Sequence, residues 1–205
     1  MAVRYLETLD ELEAVNGPAI PTSLAKVVDH LTPEYRCWIM ASKFCVLSTV
    51  GPDGTDGTPR GDDGPVVAEL DERTLLMPDW AGNNRIDSLR NLIVDPRCSL
   101  MFMVPGDNNV VRVNGTGRLT TDDGLRARFE KNGKLPRSVL VMHIDEIYFQ
   151  CAKALMRSGL WQGTERPDIP TAGDFLKAVT KGREGGADYD ANYAARARAQ
   201  FWERS

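Results

Sequence analysis

Two arginines set in glycine-, asparagine- and aspartate-rich backbone are the residues of this chain best suited to hold a charged ligand. One lies in Thr58-Pro59-Arg60-Gly61-Asp62, the other in Gly82-Asn83-Asn84-Arg85, and each stands beside an apolar strand-like run. Loop N–H groups and a guanidinium together can bind a phosphate. Gly61 allows close backbone approach while Arg60 reaches a phosphate or ring oxygen. An asparagine at 83 or 84 can cap a helix that starts there. A helix N-terminus attracts anions, and Arg85 and Ser88 share a face at i, i+3 spacing. A third group, Lys153, Arg157 and Trp161, sets two cations beside an aromatic ring and suits a phosphate with a flat ring. Each group also has a plainer account: a solvated Arg–Asp pair, an ordinary N-cap, and a basic edge that blunts a strand.

Other chemistries find little support. His30 and His143 are the only histidines, and neither has a Glu or His at metal-ligand spacing. Gly-x-Ser-x-Gly, Gly-x-Gly-x-x-Gly and the Walker P-loop are absent. The glycines at 51, 54, 57, 61 and 64 fit none of these patterns. The net charge of −4 gives no global attraction to nucleic acid or anionic membrane, so any basic site is local. Cys37, Cys45, Cys98 and Cys151 form no C-x-x-C pair and read as small buried hydrophobes in a reducing compartment. The acidic start of the chain is no signal peptide, and no apolar run reaches membrane-spanning length; a cytoplasmic location is expected.

The elements that must position these residues read as mainly β. The 205 residues, 42% hydrophobic and 26% charged, can bury a core without metals or disulfides. Tyr5 to Ala14 and Ser23 to His30 read as short helices with Asp10 and Ser23 as caps. Thr32-Pro33 starts a clearer helix whose Tyr35, Trp38, Ile39 and Ser42 recur at helical spacing. Phe44 to Val50 is a strand followed by a Gly-Pro-Asp-Gly turn and a polar segment to Pro65. Val66 to Leu70 and Thr74 to Met77 make a hairpin. Asn84 to Val94 reads as an amphipathic helix with Ile86, Leu89 and Ile93 as its apolar stripe. Ser99 to Val104 and the alternating Val110 to Leu119 are strands. In the second, Arg112 and Asn114 lie opposite Val111 and Val113. A helix from Asp122 to Lys131, strands at Val139 to His143 and Ile147 to Cys151, and two late helices complete the expectation. The late helices span Asp174 to Thr180 and Ala191 to Trp202, with a loop from Thr164 to Pro170 before them. Six or seven short antiparallel strands imply a barrel or sandwich. One domain is expected, with a core from about 35 to 161, an N-terminal helical segment and a C-terminal helical arm.

In order, Phe44-Cys45-Val46-Leu47-Ser48-Thr49, the Gly-Pro-Asp-Gly turn, Pro59-Arg60-Gly61-Asp62, Leu70 to Leu75, Gly82-Asn83-Asn84-Arg85, Ser88 to Leu92, Asp95-Pro96-Arg97, Arg112 to Gly115 and Cys151 to Ala154 with Arg157-Ser158 form a series. That series resembles the pyridoxamine 5'-phosphate oxidase-like FMN-binding proteins. It is nearest to an uncharacterised bacterial branch, and the likeness runs from Tyr35 to Trp161. The resemblance implies a split β-barrel of antiparallel strands with flanking helices, and a homodimer with FMN at the subunit interface. It implies Arg60, Asn84, Arg85 and Ser88 near the ribityl-phosphate and Pro59, Gly61 and Asp62 close to the flavin. Lys153, Arg157 and Trp161 follow from the late strand and loop, with Arg112 a further candidate. It implies an FMN-dependent oxidoreductase of unknown substrate. The alternatives are a carrier, store or sensor without turnover, and a barrel that takes another ligand such as haem or a deazaflavin. The vitamin-forming oxidases carry substrate-binding Arg and His residues near a C-terminal strand. Here no histidine follows His143 and the end of the chain reads as helical, so the resemblance does not extend to that substrate.

Overall fold

The computed structural model describes residues 2–163 and 165–201. Thr164 and Trp202, the ends of an expected loop and an expected helix, lie outside the described residues. Seven antiparallel strands form one sheet: β1 (Phe44–Gly51), β2 (Gly54–Gly61), β3 (Ala68–Asp71), β4 (Thr74–Asp79), β5 (Arg97–Met103), β6 (Val110–Thr120) and β7 (Ser138–Gln150). Their order across the sheet is β2-β1-β5-β6-β7-β4-β3. The two edges, β2 and β3, are therefore joined directly in sequence by residues 62–67.

That short link forces the sheet to curl. Six interstrand steps of about 4.8 Å would part the edges of a flat sheet by about 29 Å. The chain from Gly61 to Ala68 spans at most about 25 Å even when fully extended. The link also turns back on the start of β1, where Asp62 N–H donates to the Lys43 carbonyl and Val66 N–H to the Ser42 carbonyl. Val66 and Val67 are buried between the edges. The sheet is a barrel whose wall stays open between β2 and the β3–β4 hairpin, the split β-barrel expected from the sequence.

Alternation fixes which face is inside. Cys45 and Leu47 of β1, Leu100 and Phe102 of β5, Val111 and Val113 of β6, and Met142 and Ile144 of β7 fill the core. The helix α3 (Pro33–Ala41) closes one end. Thr32 caps it by accepting from Tyr35 N–H, and Ile39 plugs into the core. The helix α4 (Asp87–Val94) packs on β1, where Asn91 Nδ2 donates to Thr49 Oγ1 at 3.1 Å.

Several expectations need correction. The polar segment after the Gly-Pro-Asp-Gly turn is the strand β2, because pairing with β1 outweighs its poor β propensity and an edge strand tolerates Pro59. The two late strands are one continuous β7, bulged against β6 beside Gly115. In the N-terminal segment, α1 (Leu9–Asn16) is capped by Thr8 rather than Asp10. The helix α2 is only Pro21–Ala25, with Ser23 inside it rather than at its cap, because Val28 leaves to bridge Ile147. The helix α5 is only Asp123–Ala127, since Lys131 and Lys134 pair across a turn at Asn132-Gly133. Cys37 and Cys151 are exposed, so only Cys45 and Cys98 are core residues. His143 is exposed on β7. Lys153 and Arg157 sit on α6 (Lys153–Ser158), not on a strand end. The chain then forms α7 (Ala172–Val179) and α8 (Ala187–Ala199), which pack on each other. Among the described residues no helix is long and apolar enough to cross a membrane.

Candidate functional site

The open seam of the barrel holds a cavity of about 600 Å³. One wall is β2, and the other is the end of β4 with the loop that follows it to α4. Antiparallel pairing sets Arg60 opposite Cys45, and Cys45 faces the core. Arg60 therefore points inward, across the seam.

There it meets Asp79 at the end of β4. Arg60 Nη1 donates to Asp79 Oδ1 at 2.8 Å, and Nη2 to Ser88 Oγ at 3.3 Å. Ser88 is only 4% exposed, on the first turn of α4. One guanidinium thus ties β2, β4 and α4 together. Arg60 Nε and the neighbouring Trp80 Nε1 are buried and have no hydrogen-bond partner in the protein. A buried donor without an acceptor is costly, so one on each side of the same cavity points to a missing acceptor.

The loop between β4 and α4 is tightly wound. Asn84 (φ 58°) and Ile86 (φ 30°) both adopt left-handed backbone. Left-handed backbone is uncommon for asparagine and an outlier for a β-branched residue. The helix consequently starts at Asp87 rather than Asn84, with Ile86 at its N-cap and no side-chain cap. Asn84 instead accepts from Arg137 Nη1 at 2.8 Å, and Asn83 Oδ1 accepts from Arg85 N–H. The stripe expected along Ile86, Leu89 and Ile93 is not the buried face. Ser88 and Leu92 are buried, while Ile86 and Ile93 are exposed, because Ile86 stands in the turn ahead of the helix and Ser88 and Leu92, four residues apart, share the face that packs on the sheet.

Seven of the expected residues line this one cavity: Pro59, Arg60, Gly61, Asp62, Asn84, Arg85 and Ser88. Four do not. Arg112 lies on the outer face of the sheet, its guanidinium 5.6 Å from the centre of the Tyr148 ring. Lys153 and Arg157 are exposed on α6, and Trp161 Nε1 donates to the Asp107 carbonyl at 2.7 Å. Asp79, Trp80 and Arg137 belong to the cavity but carried no motif. Only the position of Asp79-Trp80 at a strand end facing the Arg60 segment could have marked them.

The charges around the cavity are mixed. Arg60, Arg85 and Arg137 stand among Asp56, Asp62, Asp79 and Asp87. Most of these carboxylates are already engaged: Asp79 by Arg60, Asp87 by Arg85 Nε at 2.6 Å, and Asp62 by Lys131. Lys131 also pairs with Asp63. Burial pulls its ammonium pKa down, but the two carboxylates outweigh burial and raise it. Hydrogen bonding and charge from Asp87 raise the Arg85 pKa as well. A guanidinium has five N–H donors, so Arg60 and Arg137 keep donors for a ligand while holding these partners. Among the described residues no cluster of His, Cys, Asp and Glu could hold a metal ion.

A family model described as pyridoxamine 5'-phosphate oxidase matches residues 31–151. A search of curated proteins gave no match. Among solved structures, HupZ of Group A Streptococcus is 18% identical over 58% of this chain and 93% of its own, with a TM-score of 0.48. An FMN-binding protein from Syntrophomonas wolfei is 16% identical over 57% of this chain and 80% of its own, with a TM-score of 0.41. A FAD-binding protein from Mesorhizobium loti is 16% identical over 60% of this chain and 94% of its own, with a TM-score of 0.42. The family match covers more than half of the sequence and the whole barrel, and the chain belongs to the pyridoxamine 5'-phosphate oxidase family.

Proposed function

We propose that this protein is an FMN-binding flavoprotein that acts as an oxidoreductase on a small molecule. The observation that carries the reading is the pair of buried, unpartnered donors, Arg60 Nε and Trp80 Nε1, one on each side of a 600 Å³ cavity. The cavity lies within the size range of cofactor sites. FMN offers phosphate, ribityl and ring oxygens, which are the acceptors these donors lack. The family model supports a flavin in place of another anion.

On this reading Arg60, Ser88 and Arg85 hold the phosphate. Asn84 and Arg137 fix the loop that borders it. Asp79 positions Arg60, and Trp80 donates to a ligand oxygen. When bound, FMN supplies a group that accepts a hydride or electrons and passes them on. The chain supplies binding, orientation and exclusion of water.

The four residues outside the cavity fit a homodimer in which a second copy brings Arg112, Lys153, Arg157 or Trp161 to the flavin. The exposed thiols of Cys37 and Cys151 fit a reducing cytoplasm. A flavin carrier or sensor is the second reading. It is favoured by the absence of any histidine, tyrosine or lysine among the described residues that line the cavity.

The test is the absorbance spectrum of freshly purified protein, identification of the released ligand by mass, and titration with NADPH. A yellow protein that releases FMN and is bleached by NADPH supports the oxidoreductase. FMN that NADPH does not reduce favours the carrier. A colourless protein that refuses added FMN removes both. Sedimentation velocity separates the dimer from a monomer.

A further inference from the structure

The helix α8 builds a second cavity, of about 430 Å³, against the rim of the first. The two share Ala81, Gly82, Asn83 and Arg137, so one loop and one guanidinium border both. Tyr189, Tyr193 and Arg196 stand at i, i+4 and i+7 on α8 and therefore on one helix face. The two tyrosine rings are 5.8 Å apart and tilted by 35°. The Arg196 guanidinium lies 4.9 Å from the Tyr189 ring centre and 5.9 Å from that of Tyr193.

This helix is held in register. Asp190 accepts from Thr171 Oγ1 at 2.5 Å and from Gly173 N–H at 2.8 Å. A side chain at Gly173 would collide with Asp190 and with the Gly186 carbonyl, so α7 and α8 meet backbone to backbone.

The chemistry of the lining is one-sided. In a chain of net charge −4, the described lining residues include two arginines and no carboxylate. Arg196 has no carboxylate partner among the described residues. Arg137 spends one side-chain donor on Asn84 and keeps the others. Two cations beside two aromatic faces bind a flat anion: the carboxylate takes the guanidinium, and the ring stacks on tyrosine.

We propose that this cavity binds a planar aromatic carboxylate, the substrate class of the neighbouring flavin site. The word substrate rests on the flavin reading; the recognition of an aromatic anion rests on this cavity alone.

The probes are benzoate and its neutral analogue benzamide, titrated by calorimetry into the full-length protein as purified. Benzoate is expected to bind roughly tenfold or more tightly than benzamide, as for a hydrogen bond to a charged group. Arg196→Gln is expected to weaken benzoate by a similar factor, and Tyr193→Phe to leave it nearly unchanged. Tyr193→Ala is expected to weaken both probes by roughly twofold to tenfold, the worth of an aromatic contact. FMN content of these variants, read by absorbance, should equal that of the wild type. No benzoate binding, equal binding of the two probes, or full affinity in Arg196→Gln would overturn the proposal. Selective benzoate binding by a protein that takes no FMN would leave the recognition standing and remove the flavin function.

Discussion

Arg60 on β2 and Asp79 at the end of β4 close the open seam of the barrel with a 2.8 Å charged hydrogen bond. Neither strand pairs with the other, and this contact bridges them at the wall of the cavity. The side chains are 18% and 12% exposed, so the pair is only weakly screened. On the proposed reading the same arginine is both a fastener and a ligand-binding group. The two roles can be separated by measurement.

Arg60→Ala should weaken FMN binding by about 1.5–3 kcal/mol, the range for hydrogen bonds to a charged group. Arg85 has an 81% exposed side chain and an Asp87 partner, so Arg85→Ala should cost less. Fluorescence titration of stripped protein checks the order. Equal affinities for both variants and the wild type would remove these residues from the site.

Asp79→Ala leaves Arg60 charged and poorly paired, and should lower stability by about 3 kcal/mol. FMN should restore part of that by giving Arg60 another anion. A thermal melt with and without FMN reads the effect. A melting point that does not respond to FMN more strongly in the variant than in the wild type contradicts the shared role.

Ile86→Gly should raise stability, by about 1 kcal/mol, because a β-branched residue at φ 30° is strained and glycine is not. It should also weaken ligand binding by loosening the loop. Urea denaturation and FMN titration together check this. Lower stability in the variant would show that the packing of Ile86 outweighs its strain.

Gly115 sits at the bulge between β6 and β7, where a side-chain carbon would collide with the His143 carbonyl oxygen. Gly115→Ala should therefore destabilise by about 1–3 kcal/mol or more, the cost of overpacking. Equilibrium unfolding is the check, with Gly57→Ala as the control, since nothing lies near a carbon added there.

Burial pushes the thiols of both Cys45 and Cys98 up to about 12 from 9.0. Arg60 pulls Cys45 down and Asp145 pushes Cys98 further up, each by less than burial. A folded pKa above the unfolded one gives stability that is complete below pH 9 and is lost as pH rises toward 12. Alkaline titration of stability should show this loss, and Cys45→Ala should reduce its slope. In the native state at neutral pH, an alkylating reagent should label Cys37 and Cys151 and spare the other two.

The barrel was legible in the sequence because its strands are apolar and alternating, as in Val110 to Leu119. β2 was hidden because Gly, Asp and Pro favour turns, and only its partner β1 makes it a strand. The arginines of the cavity were legible as residue types in glycine- and asparagine-rich sequence. Asp79, Trp80 and Arg137 were not, since they reach the cavity through pairings of β4 and β7 more than fifty residues apart in sequence. The second cavity was hidden for the same reason: nothing local to α8 says that it lies against residues 81–83.

Those distant pairings set the order in which the molecule can be assembled. Thr74 pairs with His143 and Asp79 with Ser138, so β4 has only the short β3 beside it until β7 has been synthesised. Until then Leu75, Leu76 and Met77, all buried in the finished barrel, have no complete wall to pack on. β1, β2, β5 and β6 can form a sheet first, because all four pair with one another and precede β7 in the chain. The cavity in the seam lies between that early sheet and the end of β4 with the loop after it. It is therefore completed last, when the barrel closes, and a ribosome paused before residue 138 carries Arg60 without Asp79 to meet it.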